Sequence, residues 1–304
     1  MSVNLSVDIA GIKMKNPVMP ASGTFGSGRE FSKLIDLNRL GALVAKTVTL
    51  KPRDGNAPPR LHEVPSGILN SIGLQNEGID YFLEHDLPFL RQFDVPIIVN
   101  IAGNSIEEYA ELCWELRGVE GISAIELNIS CPNVKAGGIT FGASSRLAGQ
   151  VTAAARYNID IPLIVKLTPN VYNISRIARA VVDAGADAVS LINTVVGMSI
   201  DTDTFKPRLG NITGGLSGPA IKPIAVRMVW EVAQTVEVPI IGIGGIRSTL
   251  DAIEFFLAGA TAIAVGTANF VNPHTMIEII DGIEGFLKQR DITDMYQLIG
   301  KVEV

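Results

Sequence analysis

The segment 125–133 reads I-E-L-N-I-S-C-P-N and places a thiol between two amide side chains, just after an apolar strand. Apolar residues at every second position bury one side of that strand, so Asn128 points to the other side. Cys131 follows the strand end, where ligands and chemistry collect in parallel α/β architectures. Neither metal-ligand spacing nor a disulfide pattern surrounds the thiol. We interpret Cys131 as a reactive group, flanked by the amides of Asn128 and Asn133, that lies over a small polar molecule.

Each of the eight apolar strands that we predict along the chain ends in a polar residue or a glycine. A single Asn or Thr there is more often a helix N-cap or a turn residue. Eight such ends in one chain are hard to explain by packing, and they predict a ligand site. In chain order the residues are Ser22, Lys46 with Thr47, Asn100, Asn128, Lys166, Asn193 with Thr194, Gly244 with Gly245, and Gly266 with Thr267.

Lys46 and Lys166 end apolar strands, where an ammonium group needs a partner. Three roles are open: an anchor for an anionic ligand, a Schiff-base nucleophile, or a structural ion pair. Two lysines among many amides favour a ligand with delocalised negative charge and several carbonyls. A reduced flavin has such charge, which a lysine could stabilise. The Schiff-base role defines an alternative function, a lyase.

Two glycine turns follow the last two predicted strands, I-G-I-G-G-I at 241–246 and A-V-G-T at 264–267. In barrels this is a frequent phosphate site, built from backbone N–H groups. A tight turn without a ligand is the alternative, and the pairing of both turns in this order favours phosphate. The amides of N-S-I-G-L-Q-N at 70–76 and of Asn128, Asn133 and Asn193 suit a planar imide such as a pyrimidine ring.

The composition indicates a large hydrophobic core and argues against a nucleic-acid-binding protein. It has 304 residues, of which 47% are hydrophobic and 18% charged, and a net charge of −6. No apolar run is long enough for a transmembrane helix, and no signal-peptide pattern opens the chain. With only Cys113 and Cys131, we expect neither a disulfide scaffold nor an iron–sulfur cluster, and a cytoplasmic location. The three histidines have no ligand spacing, so we predict no metal site.

Alternating strand and helix patterns predict a (β/α)₈ barrel of the TIM type in one domain, residues 1–304. A doubly wound open sheet is the alternative. We expect a small N-terminal hairpin across the barrel bottom, Cys113 as a buried packing residue, and long loops at 50–76 and 194–219 that cover the site. The predicted strands are 18–21, 42–47, 96–101, 124–129, 163–167, 188–192, 240–243 and 262–265. The predicted helices are 29–40, 79–93, 106–116, 144–155, 174–184, 221–236, 249–258 and 273–288.

Taken together, these motifs resemble the dihydroorotate dehydrogenases, over nearly the whole chain and in family order. The resemblance implies an FMN-binding barrel that oxidises (S)-dihydroorotate to orotate in pyrimidine (UMP) biosynthesis. The matching strings are N-P-V at 16–18, A-S-G at 21–23, K-T at 46–47, N-S-I-G-L at 70–74, E-L-N-I-S-C-P-N at 126–133, V-K-L at 165–167, I-N-T at 192–194, G-G-L-S-G at 214–218, G-I-G-G at 242–245 and V-G-T at 265–267.

The resemblance also implies roles for individual residues. Cys131 would be the catalytic base, with an optimum on the alkaline side because a free thiol has a pKa near ~8.5. The substrate would contact Lys46, Asn70, Ser71, Ile72, Gly73, Leu74, Asn128, Asn133, Asn193 and Thr194. FMN would contact Ser22, Lys46, Thr47, Asn100, Asn128, Lys166, Ile192, Gly218, Gly244, Gly245, Gly266 and Thr267, with its phosphate at the last four.

Within the family, the chain looks like the class 1, NAD-dependent type B. Cys131 replaces the serine base of membrane-bound class 2, and we expect no N-terminal extension of the class 2 kind. Gln75 and the string N-A-P-P-R at 56–60 resemble type B. Type B implies a partner subunit carrying FAD and a [2Fe–2S] cluster, and a homodimer core in a heterotetramer. The alternatives are the fumarate-dependent type A, the Schiff-base lyase, and a non-catalytic flavin- or phosphate-binding module.

Overall fold

The computed structural model describes residues 3–130 and 141–303. The strands in these residues are β1 Val7–Ile9, β2 Ile12–Met14, β3 Val18–Pro20, β4 Leu43–Val44, β5 Leu61–Val64, β6 Gly67–Asn70, β7 Ile97–Ile101, β8 Ala124–Asn128, β9 Leu163–Lys166, β10 Ala188–Leu191, β11 Val195–Gly197, β12 Ile200–Asp201, β13 Lys206–Pro207, β14 Gly214–Ser217, β15 Ile240–Ile243 and β16 Ala262–Val265.

The helices surround the strands, and none of those described is long and apolar enough to cross a membrane. They are α1 Gly78–Tyr81, α2 Leu87–Leu90, α3 Ile106–Leu116, α4 Ser145–Asn158, α5 Ile174–Asp183, α6 Lys222–Ala233, α7 Thr249–Leu257, α8 Ala268–Val271 and α9 Thr275–Gln289. A π-turn, Phe82–Asp86, joins α1 to α2, and short 3₁₀ turns lie at Phe31–Lys33, Leu37–Arg39, Phe141–Ala143, Pro219–Ile221 and Met295–Gln297.

Eight parallel strands form the central sheet, in the order β3-β16-β15-β10-β9-β8-β7-β4. The two ends of this sheet meet where the N–H of Gly41 donates to the carbonyl of Val18 at 2.8 Å. All eight predicted strands are therefore confirmed, and so is the (β/α)₈ barrel. The register sets Asn128 beside Lys166 on neighbouring strands, and Asn100 beside Glu126. Asn100, Asn128 and Lys166 lie at or next to the carboxyl ends of their strands, and Glu126 lies at the middle of β8.

The barrel strands are buried along their whole length because helices cover the outside and side chains fill the inside. All five residues of β8 are buried, as are all five of β7. Such strands read as continuous apolar runs, which is why the sequence predicts them well. On the outside, α3 begins at Ser105, whose hydroxyl accepts from the N–H of Glu108 at 3.3 Å. Its buried face includes Leu112 and Cys113.

The N-terminal hairpin pairs β1 with β2 antiparallel and is confirmed. Alternate residues of both strands point into the core, including Ile9 and Met14. The side chain of Met14 lies against Gly41, two residues before β4. The hairpin therefore closes the amino-terminal end of the barrel, opposite the end where the strand-end polar residues gather.

The helix predicted at 29–40 is wrong: two separate 3₁₀ turns occupy this segment. The second turn begins at Asp36, whose carboxylate accepts from the backbone N–H of Asn38 at 3.0 Å. Asp and Asn side chains compete with helical hydrogen bonds in this way. The apolar spacing alone therefore overestimated the length of regular structure here.

Four strands from the two long loops form a second sheet, in the order β11-β14-β6-β5, which we call the cap sheet. The long loops are confirmed to leave the carboxyl ends of β4 and β10, but their regular structure is not predicted by the sequence. The two central strands, β6 and β14, begin with glycine, a residue that is depleted in strands, so the sequence shows no strand pattern there. The central pairing sets Asn70 opposite Gly215, with the two strands antiparallel.

Candidate active site

A cavity of about 800 Å³ opens at the carboxyl ends of the barrel strands, beneath the cap sheet. This volume is in the usual range for small-molecule sites. Most of the residues that the sequence singles out line it: Ser22, Lys46, Thr47, Asn70, Ser71, Ile72, Gly73, Leu74, Asn128, Lys166, Ile192, Asn193, Thr194, Gly218, Gly244, Gly245, Gly266 and Thr267. The barrel and the two loops bring these distant segments to one place.

The cavity wall carries positive charge although the chain as a whole is acidic. Its described lining includes Lys46, Lys166 and Arg247, and no Asp or Glu is among the described lining residues. Lys166 is only 6% exposed. Within residues 3–130 and 141–303, no carboxylate or hydrogen-bond acceptor pairs with its ammonium group. A buried ammonium of this kind needs a counter-charge, and a ligand in the cavity that Lys166 lines can supply it.

Amide side chains from two strand ends meet beside Lys166. The Nδ2 of Asn193 donates to the Oδ1 of Asn128 at 3.3 Å, and the Oδ1 of Asn193 accepts from the N–H of Thr194 at 2.8 Å. Tyr109 donates through its hydroxyl to the backbone carbonyl of Asn128 at 2.7 Å, which fixes the end of β8. The amides are thus held in place and can recognise carbonyl and N–H groups of a planar ligand.

A chain of buried polar side chains runs through the barrel beneath the cavity. The hydroxyl of Thr47 donates to the Oδ1 of Asn100 at 2.6 Å, and the Nδ2 of Asn100 donates to Glu126 at 2.5 Å. Glu126 also accepts from the hydroxyl of Ser190 at 2.6 Å. Asn100 is 0% exposed and is not a lining residue, so any effect on a ligand acts through Thr47. Its predicted contact with FMN stays a prediction.

Glu126 is a member of this buried network for which the sequence analysis predicts no role. It is 4% exposed, and its carboxylate has no basic partner among the described residues. A lone acid in an apolar strand is a signal that could have found it, because Glu is almost never fully buried without a partner.

The two glycine turns lie side by side on the cavity wall. The hydroxyl of Thr267 donates to that of Ser217 at 2.8 Å, which ties the second turn to the cap sheet. In the described parts of the chain, no carbonyl or side chain accepts from the N–H groups of Gly245, Gly266 and Thr267. A Cβ at Gly266 would meet only Ala21, at 3.8 Å, and would otherwise project into the cavity. Free N–H groups beside open space are what an anionic phosphate requires.

Gln75 and the string at 56–60, which resemble type B in the sequence, form one unit in the structure. Arg60 donates to the side chain of Gln75 at 2.6 Å and to the carbonyls of Asp54 and Asn56. Asn56 in turn donates to the hydroxyl of Ser71 at 3.0 Å. Gln75 itself lines the cavity. The string at 56–60 therefore braces the segment 70–75 against the site.

Of the two cysteines, only Cys113 lies within the described residues. Cys131, and Asn133 with it, lies outside the described residues. Cys113 is 0% exposed, which confirms its predicted packing role. Burial raises the pKa of the Cys113 thiol to about 12, against a smaller opposing effect of Arg156. Cys113 is therefore a protonated, inert thiol at neutral pH.

Apolar residues of the cap sheet also line the cavity and were not predicted: Leu61, Ile68 and Val196. They belong to strands that are not predicted from the sequence. Site residues were predicted from the carboxyl ends of the barrel strands, so these three could not be found in that way. Ser217 was missed as a site residue as well, although it lies within the quoted string G-G-L-S-G.

Comparison with known proteins agrees with this geometry. A sequence model of the dihydroorotate dehydrogenase family matches residues 4–287. A protein of Desulforamulus reducens is 56% identical over 300 residues, which cover 99% of this chain and 99% of that protein. One of Geotalea daltonii is 55% identical over 301 residues, with 99% of each chain covered.

A third relative, from Thermoanaerobacter sp., is 54% identical over 302 residues, which cover 99% of this chain and 100% of its own. All three carry the name "Dihydroorotate dehydrogenase B (NAD(+)), catalytic subunit". With a family match over almost its full length and relatives this similar, the chain belongs to the dihydroorotate dehydrogenase family.

Proposed function

We propose that this chain binds FMN, oxidises (S)-dihydroorotate to orotate in pyrimidine biosynthesis, and passes the electrons through a partner subunit to NAD⁺. The single observation that carries the cofactor part is Lys166, a buried ammonium without a partner in the described residues, beside a cavity with no described acidic lining. The reaction itself is supported by the family and by the names of the relatives.

The residues around the cavity fit a flavin mononucleotide. The free N–H groups of Gly245, Gly266 and Thr267 suit its phosphate. Lys166 suits the negative charge that the ring system of a reduced flavin carries. The cavity, at about 800 Å³, has room for the flavin together with a pyrimidine-sized substrate.

When bound, FMN would supply the acceptor for the hydride that leaves C6 of dihydroorotate. The proton at C5 would pass to Cys131, a role that the family resemblance implies; Cys131 lies outside the described residues. Lys46 would hold the substrate carboxylate, and Asn128 and Asn193 the ring amides. The cap sheet lies over the cavity and would exclude water during the transfer. Since only the thiolate is a base, we expect the rate to rise with pH toward the thiol pKa, ~8.5 when unperturbed.

A partner subunit follows from the words "catalytic subunit" in the relatives' names. We propose that it carries FAD and a [2Fe–2S] cluster, because two cysteines in this chain are too few to hold such a cluster. Two copies of each subunit would make a cytoplasmic heterotetramer. Turnover with NAD⁺ should require the partner, and fumarate should not replace NAD⁺ as the acceptor.

The decisive experiment is the visible spectrum of the purified chain, before and after anaerobic addition of dihydroorotate. We expect a yellow protein whose flavin band bleaches and whose product is orotate. A yellow protein that stays yellow would contradict the proposed substrate. A colourless protein that borohydride traps covalently with a carbonyl substrate would support the Schiff-base lyase instead.

A further inference from the structure

Lys222, the first residue of α6, lies between two carboxylates of α7. Its Nζ donates to Asp251 at 2.8 Å and to Glu254 at 2.6 Å. Burial opposes the charge on Lys222, yet the hydrogen bonds to both carboxylates raise its pKa. Burial likewise opposes the charge on Asp251, yet the hydrogen bonds from Lys222 and Ser248 lower its pKa. Lys222 and Asp251 therefore stay charged, and the three side chains form a bridge between the starts of two helices.

Asp251 also holds the segment that follows β15. Its second oxygen accepts from the backbone N–H of Arg247 at 3.1 Å and from the hydroxyl of Ser248 at 2.9 Å. Ser248 is itself the N-cap of α7, accepting from the N–H of Asp251 at 3.3 Å. The turn containing Gly244 and Gly245 is thus fixed at its far end to α7, and through Lys222 to α6.

Gly245 packs directly on the start of α6. A Cβ added to Gly245 would lie 2.8 Å from the Cβ of Lys222 and 2.9 Å from the carbonyl oxygen of Gly218, closer than such atoms approach. Gly218, Gly244 and Gly245 line the cavity, whereas neither Lys222 nor the two carboxylates do. The bridge therefore stands directly behind the turn, out of contact with a ligand.

This position has an electrostatic consequence for an anion at the turn. Asp251 and Glu254 would repel a phosphate group, and Lys222 cancels part of that charge from between them. Its neutralisation by two acids also means that Lys222 cannot serve as the phosphate counter-ion. The free N–H groups of the turns, with Arg247 on the cavity wall, are then left to bind the phosphate. We expect them to bind it most tightly while the carboxylates behind the turn are paired.

We propose that Lys222 is a positioning residue that gives the site its preference for a phosphorylated flavin, by pairing Asp251 and Glu254 behind the Gly244–Gly245 turn. This inference rests on the proposed binding of FMN. It concerns the phosphate end alone, so the ring end of the flavin serves as an internal reference. Riboflavin, which lacks the phosphate, is the matched ligand.

The test is a fluorescence titration of the full-length chain, stripped of flavin, with FMN and with riboflavin. For Lys222→Met we expect the Kd for FMN to rise about tenfold, and that for riboflavin to change less than about twofold. Lys222→Arg should restore most of the preference. Raising the salt concentration should reduce the difference, because screening weakens the repulsion. Lys288→Met removes a lysine paired with Glu284 on α9 and serves as the control with no expected effect.

A second variant tests the same idea in the opposite direction. Glu254 has a side chain that is 48% exposed, so Glu254→Gln should fold even if Lys222→Met does not. It removes one repelling charge, and we expect FMN to bind about two- to threefold more tightly, with riboflavin unchanged.

Equal losses for FMN and riboflavin in Lys222→Met would overturn this inference and leave the proposed function intact. An unchanged ratio of the two affinities in Glu254→Gln would do the same. A wild-type chain that binds neither flavin would instead overturn the proposed function, and the inference with it.

Discussion

The side-chain amide of Asn100 donates to the carboxylate of Glu126 at 2.5 Å, deep inside the barrel. The Nδ2 of Asn100 thus faces Glu126, and its Oδ1 faces the hydroxyl of Thr47. The proton of the Thr47 hydroxyl is thereby committed to Asn100. Thr47 then presents lone pairs to the cavity and can accept an N–H of a ligand.

This relationship predicts that Glu126 is needed for stability. Glu126→Ala leaves the donors of Asn100 and Ser190 buried without acceptors, and should lower the free energy of unfolding by about 3 kcal/mol. Glu126→Gln keeps one acceptor in place and should cost about 1 kcal/mol. Urea denaturation of both variants checks this. An alanine variant as stable as the glutamine variant would show that the network contributes little.

Lys166 should affect stability and flavin binding in opposite directions. Lys166→Met removes a buried charge without a partner in the described residues, so the flavin-free protein should gain about 1 kcal/mol or more. The same change should weaken flavin binding at least ~10-fold, since the counter-charge is lost. Thermal unfolding of stripped protein and flavin titration measure the two effects. A yellow variant with wild-type affinity would remove Lys166 from the cofactor site.

Gly266→Ala should weaken FMN binding and leave the stability of the fold nearly unchanged. The new methyl group would meet only Ala21 among the protein atoms, at 3.8 Å, so stability should change by less than about 0.5 kcal/mol. Because the methyl group projects into the cavity, FMN should bind at least ~10-fold more weakly. Gly285→Ala, in α9 with open space around it, is the control. Undiminished FMN affinity would argue against a phosphate at this turn.

Cys113 should make the folded state sensitive to alkaline pH. Its folded pKa of about 12 is raised above the unfolded value, ~8.5, so its stabilising contribution is complete below ~8.5 and is lost as the pH rises toward 12. Over that range the free energy of unfolding should fall by about 1.4 kcal/mol per pH unit from this group. In Cys113→Ala this dependence is absent. Urea denaturation at pH 7 and pH 10 should therefore show that the free energies of unfolding of the wild type and of Cys113→Ala lie closer together at pH 10. Equal decreases in both proteins would contradict the effect of burial on the thiol.

Cys131 should be needed for turnover and not for cofactor binding. Cys131→Ala should retain FMN and lose at least ~10²-fold in turnover, the low end of what a general base contributes. Cys113→Ala, which removes the other thiol of the chain, should keep its activity. Stopped-flow reduction by dihydroorotate distinguishes the two, and near-normal flavin reduction without Cys131 would exclude it as the base.

The barrel and the strand-end residues could be predicted from the sequence, and the reasons are physical. Strands buried on both faces are apolar runs, and parallel strands bring their carboxyl ends to one edge. Asn128 and Lys166 were therefore found from position alone, with no knowledge of their contacts. The bounds of α3 match the predicted helix at 106–116, and in the structure Ser105 caps its start.

What escaped prediction depends on contacts between distant residues. Glu126 finds its partner Ser190 at a separation of 64 residues, which no local pattern reveals. The cap sheet is built from short, glycine-containing strands whose pairing comes from the barrel beneath them. The segment 29–40 was misjudged because its apolar residues suit the core equally well from two turns.

The cap sheet has a consequence for the order in which the molecule assembles. Asn70 and Gly215 are hydrogen-bonded partners separated by 145 residues, so their pairing closes a very long loop. Contacts of this kind contribute nothing until the intervening chain is organised, and they form late in folding. The cap strands can meet only after β4 and β10 have taken their places in the barrel. We therefore expect a nascent chain to complete its cavity as one of its last folding steps, and to bind a ligand there only after that step.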